Sequence, residues 1–342
     1  MLVLGIETSC DETSVALLRF EAGVPRLRAN LIASQIEAHQ MFGGVVPEIA
    51  SRQHLSALGP LLATLRRDCD LDWRELSLIG VTHGPGLAGA LLVGVAGAKA
   101  LSFAHQIPCV PVNHVEGHIA SNFLARPDLK LPMLCLVVSG GHTDLILMRD
   151  WGDYQRLGRT RDDAIGEAFD KVARVLELPQ PGGPNLEIAA TRGDDVAFEF
   201  RVSDLEPSLD FSYSGLKTAA SQARAKSTLK GENRVEDIAA GFQRAAVKQI
   251  RRNVERALTQ FSVATLGLCG GVAANSHLRA EMLEAAAQAN VDCVVPDKIL
   301  CTDNAAMIAC AAFQRWNRRE PEAQTWSIDS LDFDTHSMLP IA

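Results

Sequence analysis

Two apolar runs, Leu2 to Ile6 and Ser14 to Leu18, bracket the polar stretch Glu7-Thr8-Ser9-Cys10-Asp11-Glu12-Thr13. This pattern predicts a β-hairpin with a polar tip. It returns at Met133 to Val138 and Asp144 to Met148, joined through Ser139-Gly140-Gly141-His142-Thr143. Between the hairpins the periodicity predicts a helix over 47–67, a strand over 78–82, a Gly- and Ala-rich helix after Gly86 and a short strand near Val110. Further on, a strand over 265–268 runs into Cys269-Gly270-Gly271-Val272-Ala273-Ala274-Asn275 and a helix through Ala289. Strands alternating with helices, led twice by a similar hairpin, predict an α/β protein of two duplicated lobes with an interlobe cleft. The N-terminal lobe is expected over 1–118, completed by a C-terminal helix over 303–325, and the C-terminal lobe over 130–302.

Composition adds little that alters this picture. At 47% apolar and 22% charged residues, the 342-residue chain can bury a large core in each lobe. The apolar stretch Leu87 to His105 approaches membrane length but carries Lys99 and many small residues, and so reads as a buried helix with no membrane role. The first residues show no secretory signal pattern. Eight cysteines without a Cys-x-x-Cys pair fit reduced thiols in the cytoplasm. A net charge of −8 excludes capture of nucleic acid by overall charge. Local positive surface is available at Arg156, Arg159 and Arg161 or on the run Arg244 to Arg256, which is equally a solvated helix face.

The most informative local pattern is His114-Val115-Glu116-Gly117-His118. Histidines four apart on a helix share a face and can reach one metal, although such pairs also occur without one. Thr302-Asp303-Asn304, ahead of the last helical run, offers a carboxylate that is either a third ligand or a helix cap. A zinc protease needs its general-base Glu directly after the first histidine, where Val115 stands. Glu116 lies about 200° around the helix from His114, turned away from a metal-bound water.

Gly84-Pro85-Gly86-Leu87-Ala88-Gly89 matches a dinucleotide fingerprint, but Pro85 sits inside the turn and no acidic residue follows at ribose-binding distance. Ser139-Gly140-Gly141, Pro181-Gly182-Gly183-Pro184 and the turn at Gly270-Gly271 can present backbone N–H groups to an anion, or can be plain turns. Asp170 could accept ribose hydroxyls or pair on the surface with Lys171, and Lys217 is a cation without an assigned role.

Together with Gly5 to Thr13, Gly43 to Glu48, Gly84 to Leu87, Gly166 to Lys171 and Gly215 to Thr218, these blocks resemble the TsaD family of tRNA N6-adenosine threonylcarbamoyltransferases nearly end to end. The resemblance implies an actin/Hsp70/sugar-kinase fold. It implies one divalent ion, Fe2+ or Zn2+, on His114, His118 and Asp303, and threonylcarbamoyl-AMP bound by Val137, Val138, Ser139, Gly140, Gly141, Asp170, Gly183 and Asn275. Asp11 resembles a residue implicated in transfer to N6 of adenosine 37 in tRNAs reading codons that begin with A. Implied partners are tRNA, a TsaB-like paralogue and a TsaE-like ATPase. His83 departs from the small residue usual before Gly-Pro-Gly and is expected to alter the metal environment. A non-catalytic TsaB-like scaffold would lack the metal triad.

Overall fold

A computed structural model describes residues 1–40, 42, 44–232, 234–318 and 331–341. The chain divides into two compact units, one of residues 1–129 with 303–342 and one of residues 130–302. The first unit thus runs past residue 118.

In the first unit, β1 (Leu2–Glu7), β2 (Glu12–Glu21), β3 (Val24–Ser34), β4 (Leu78–Gly84) and β5 (Cys109–Asn113) form one sheet in the order β3-β2-β1-β4-β5. The hairpin β1–β2 is antiparallel and β1 pairs β4 in parallel. Every residue of β1 is buried, as a central strand covered on both faces requires. On one face Leu2, Leu4 and Ile6 pack with Leu58 and Leu65 of α2 (Pro47–Asp68) and Val95 and Ala98 of α3 (Ala88–His105). The short α1 (Ile36–Gln40) precedes them.

Alpha-helix α4 (His114–Ala125) follows β5, and α11 (Ala305–Asn317) crosses the sheet's other face at positions where a side chain cannot fit. A Cβ on Gly5 would lie 2.0 Å from the Ala305 carbonyl oxygen, and one on Gly80 2.4 Å from Ala312 Cβ. Gly117 of α4 likewise meets Ile308. These contacts draw Asp303, two residues before α11, toward the start of α4. The expected helix over 303–325 is shorter at its start, and positions 319–325 lie outside the described residues.

The second unit repeats the plan. β6 (Met133–Val138), β7 (Thr143–Asp150), β8 (Asp153–Arg159), β9 (Thr265–Cys269) and β10 (Asp292–Val294) have the order β8-β7-β6-β9-β10, the same succession as in the first sheet. Its core sets Leu134, Leu136 and Val138 with Phe169 of α5 (Ile165–Val175), Leu186 of α6 (Gly182–Ala190), Leu216 of α7 (Ser214–Leu229) and Phe242 of α8 (Val235–Gln260). α9 (Ser276–Gln288) and α10 (Lys298–Cys301) complete it.

The helix expected after Gly86 is α3, which is long and apolar enough to cross a membrane by composition alone. It buries Leu91, Gly94, Val95 and Ala98, while Leu92 and Phe103 are exposed. Three of the four arginines of α8 are engaged in ion pairs: Arg251 with Glu255, Glu281 and Glu284, Arg252 with Asp204, and Arg256 with Asp204 and Glu206. Arg161 pairs with Asp210.

Candidate functional site

Alpha-helix α4 starts abruptly because Asn113 caps it, its Oδ1 accepting from Val115 N and Glu116 N. His114 and His118 therefore project from one face, one turn apart, with ring centroids 4.6 Å apart. Asp303 Oδ1 stands 3.6 Å from His114 Nε2 and 3.1 Å from His118 Nε2. One ligand atom from each of the three lies within 4.8 Å of the others. Two imidazole nitrogens and a carboxylate oxygen on one small volume match the donor set of a catalytic divalent site.

His118 carries the more telling observation. It is fully buried, yet neither ring nitrogen makes a hydrogen bond. The Asp303 carboxylate 3.1 Å from Nε2 lacks the geometry of a hydrogen bond. An under-satisfied imidazole of this kind costs about 1–3 kcal/mol, and a metal ion shared with Asp303 fits its position.

His114 is held from behind. Its Nδ1 lies 3.2 Å from Glu7 Oε2 and 3.1 Å from Ser9 Oγ, leaving Nε2 toward Asp303. Glu7 is itself fixed by the Thr82 hydroxyl and the Ser9 N–H, each donating at 2.5 Å. A carboxylate on the far nitrogen of a ligating histidine orients the ring and raises its basicity. Glu7 was quoted in the first hairpin without a role, since only the fold brings it to a residue 107 positions away.

Burial disfavours the charged imidazolium of His114, but Asp303 and Glu7 outweigh it and raise its pKa to about 9. Burial likewise opposes Glu7 ionisation, and His114 overcomes it so that the carboxyl titrates below its usual range. Burial, then Asp11 and Asp303, push Glu12 up to about 10, and the same three causes push the Cys10 thiol well up. So negative a pocket would favour a cation, which on binding would take the place of the His114 proton.

Three expectations are corrected or refined here. His83 takes no part in this cluster: it stacks edge-on against Phe333 and His336, with Nδ1 3.2 Å from the Asp334 carbonyl oxygen. Glu116 is turned to α11, its Oε2 3.0 Å from Arg315 Nε. The glycines of the dinucleotide-like turn serve internal packing, since a Cβ on Gly84 would meet the His336 carbonyl oxygen at 2.3 Å and one on Gly86 the Ser9 carbonyl oxygen at 2.6 Å.

The other predicted residues cluster at the C-terminal edge of the second sheet. Val137 and Val138 bury their side chains in β6, so only their backbone can face a ligand. In the following loop Ser139 Oγ accepts from Gly141 N and His142 N, and around Gly140 and Gly141 a Cβ would meet nothing. Gly166 opens α5 against this loop, its N–H donating to the Ser139 carbonyl at 3.2 Å. Asp170 does not pair with Lys171: its Oδ1 accepts from Gly183 N at 2.9 Å, joining two predicted residues directly. Lys171 pairs instead with Asp163 and Glu167, and Lys217 with Asp163. Asn275 caps α9 through Leu278 N and donates to Gln243 Oε1. Asp11 lies in the β1–β2 turn two residues beyond Ser9.

Two α/β units of one topology, with a His-His-carboxylate cluster in one and glycine-rich loops in the other, define a duplicated fold of the actin/Hsp70/sugar-kinase type. Solved structures share it: HypF in its phosphate- and nucleotide-bound form matches with TM-score 0.61 at 13% identity over 95% of this chain and 56% of that one. Component A of the (R)-2-hydroxyglutaryl-CoA dehydratase of Acidaminococcus fermentans matches with TM-score 0.54 at 13% identity, over 93% of this chain and all of that one. The chain belongs to the TsaD family, tRNA N6-adenosine threonylcarbamoyltransferase, which matches residues 26–310. It is 48% identical over 331 residues to the enzyme so named from Desulfitobacterium hafniense, covering 96% of each chain, and 50% identical over 316 residues to that from Carboxydothermus hydrogenoformans, covering 92% of each. It is thus a transferase that modifies tRNA.

Proposed function

We propose that the protein transfers the threonylcarbamoyl group from threonylcarbamoyl-AMP to N6 of adenosine 37 in tRNAs reading codons that begin with A, using one Fe2+ or Zn2+ held by His114, His118 and Asp303. The observation that carries the metal assignment is the convergence of His114, His118 and Asp303, one ligand atom from each lying within 4.8 Å of the others. Such an ion supplies Lewis acidity toward the carbamoyl oxygen. Glu7 and Ser9 hold the His114 ring.

The adenylate is bound by backbone from Val137 to Gly141, with Asp170, Gly183 and Asn275 around it. Asp170 and Gly183 are preorganised by their hydrogen bond, and the Asp170 carboxylate is the acceptor for ribose hydroxyls. Asn275 meets its neighbours with both side-chain ends, so its part is to hold the turn after β9. In the reaction the adenine N6 forms a bond to the carbamoyl carbon as the carbon–oxygen bond to phosphate breaks, releasing AMP. The amine is a weak nucleophile; the anhydride provides driving force, and the protein provides alignment. Asp11 accepts the proton leaving N6. The target adenosine is unpaired in its loop and needs no opened duplex.

With a net charge of −8 the chain needs help to hold tRNA. Exposed Leu55 on α2 and Leu92 and Phe103 on α3 favour a TsaB-like paralogue there, and a TsaE-like ATPase completes the set. The work is cytoplasmic, where tRNA and reduced thiols are found. A protease reading loses its base, since Glu116 is occupied by Arg315.

The test combines purified protein, synthetic threonylcarbamoyl-adenylate, partner proteins and unmodified tRNA, with nucleoside analysis of the product. His114→Ala should abolish the modified adenosine and Asp11→Asn should slow single-turnover transfer by at least about 100-fold. Full transfer by His114→Ala would sink the metal mechanism.

A further inference from the structure

One stretch of backbone reaches His114 by two routes. Residues 331–341 carry no helix or strand and belong to the first unit, and Lys99 Nζ anchors them at the Phe333 carbonyl oxygen and over the Phe333 ring at 4.5 Å. Further along, His336 N donates to the His83 carbonyl at 2.8 Å and Gly86 N donates to the Ser337 carbonyl at 3.2 Å. This clasps the Gly84-Pro85-Gly86 turn. The turn in turn supports Ser9: Leu87 N donates to the Ser9 carbonyl at 2.8 Å, and Gly86 packs against it too closely for any side chain. Ser9 Oγ then lies 3.1 Å from His114 Nδ1. The second route is shorter. Asn113, whose Oδ1 caps α4, donates its Nδ2 to the Leu339 carbonyl at 3.0 Å.

The two routes constrain different things. Asn113 sets the direction in which α4 begins, and so where the Cα of His114, its first residue, sits. Ser9 acts on the ring, through the nitrogen that points away from Asp303. We propose that segment 336–339 is a positioning element for His114, bracing its backbone through Asn113 and its imidazole through Gly86 and Ser9. The proposal rests on the reading of His114, His118 and Asp303 as metal ligands, and it gives a purpose to a segment that carries none of the glycine-rich or histidine motifs. It also accounts for His83, whose carbonyl is one of the two clasp points.

Two substitutions in the full-length chain separate bracing from folding. Asn113→Ser keeps a good helix cap but loses the donor to Leu339, and His336→Pro removes the N–H that meets His83. Co2+ alone is titrated into chelator-treated protein and followed by its visible ligand-field absorption. The double substitution should weaken Co2+ binding at least about tenfold and change the ligand-field spectrum, the size of effect expected when support behind a ligand is lost, with the melting temperature of the metal-free protein unchanged. Wild-type affinity with a wild-type spectrum would overturn the proposal, as would weakened binding matched by a general loss of stability. Hydrogen exchange at the Val115 and Glu116 amides gives a readout independent of metal: it should quicken in the double substitution. If wild-type protein takes up no Co2+ the metal reading fails on its own, and the brace is then decided by these amides, with unchanged exchange counting against it.

Discussion

Glu116 and Arg315 form an ion pair between α4 and α11, carboxylate oxygen to guanidinium nitrogen at 3.0 Å, with the Glu116 side chain only 4% exposed. Arg315 also donates to the Pro111 carbonyl oxygen at 2.5 Å. The pair therefore ties together the helix that carries both histidines, the strand before it and the helix that follows Asp303.

Removing one partner of such a pair strands a buried charge. Glu116→Ala should lower stability by about 2 kcal/mol, below the roughly 3–5 kcal/mol of a fully buried pair because Arg315 is one-third exposed. Glu116→Gln keeps a hydrogen-bond acceptor and should cost less than half as much. Denaturant melts of both variants check this; equal stability of Glu116→Ala and wild type would deny the tie.

His118 should behave in the opposite way. Its ring faces the Asp303 carboxylate, 3.1 Å from Nε2 without hydrogen-bonding geometry, so Leu, of similar volume and without polar atoms, should cost the metal-free protein no more than about 1 kcal/mol. The same substitution should abolish divalent-metal uptake and transfer. Thermal melts in chelator, paired with metal analysis, decide it: a loss of more than about 2 kcal/mol would mean that the His118–Asp303 contact is structural in its own right.

What the sequence made legible follows from which forces are local. The paired hairpins and the duplicated order could be read because β1, β2, β6 and β7 are apolar runs broken by polar or glycine-rich tips, and the His114–His118 spacing speaks for itself on a helix. β3 and β8 were not seen. They are edge strands whose charged, exposed residues, such as Arg26, Arg28, Arg156 and Arg159, carry no apolar alternation. Glu7 could not be assigned because its meeting with His114 depends on sheet order, and the segment 331–341 has no periodicity to read.

Acid should reveal the anchor between the β8–α5 loop and α7. Asp162 Oδ2 accepts from Ser212 Oγ at 2.5 Å and Ser214 Oγ at 2.8 Å, and Oδ1 from Tyr213 N at 2.8 Å. Burial works against its ionisation, but these hydrogen bonds prevail and hold its pKa below the usual 3.8. A carboxyl whose folded pKa is depressed contributes stability that is fully present above the unfolded value and is lost as pH falls through the folded one. Asp162→Asn should therefore cost about 1–2 kcal/mol at pH 7, and the gap to wild type should close below pH 4. Urea melts at pH 7, 4 and 3 measure it; a gap that stays constant with pH would show that the charge plays no part.

Gly166 offers a test of the adenylate loop that leaves every proposed ligand in place. A Cβ there would stand 2.6 Å from the Ser139 carbonyl oxygen and 2.9 Å from the Gly140 N, both main-chain atoms that cannot rotate aside. Gly166→Ala must therefore push the Ser139-Gly140-Gly141 loop away from α5. Since that loop is open on its other side, the displacement should be absorbed by the loop and not by the core beneath it. The expected result is a KM for threonylcarbamoyl-adenylate raised about tenfold or more, equivalent to about 1.4 kcal/mol of lost binding, with metal content unchanged. Gly59→Ala in α2, where a side chain would meet nothing within 4 Å and no ligand is proposed, is the control. Substrate saturation curves for the two variants distinguish the outcomes: if Gly166→Ala keeps the wild-type KM, the Ser139 loop does not hold the adenylate.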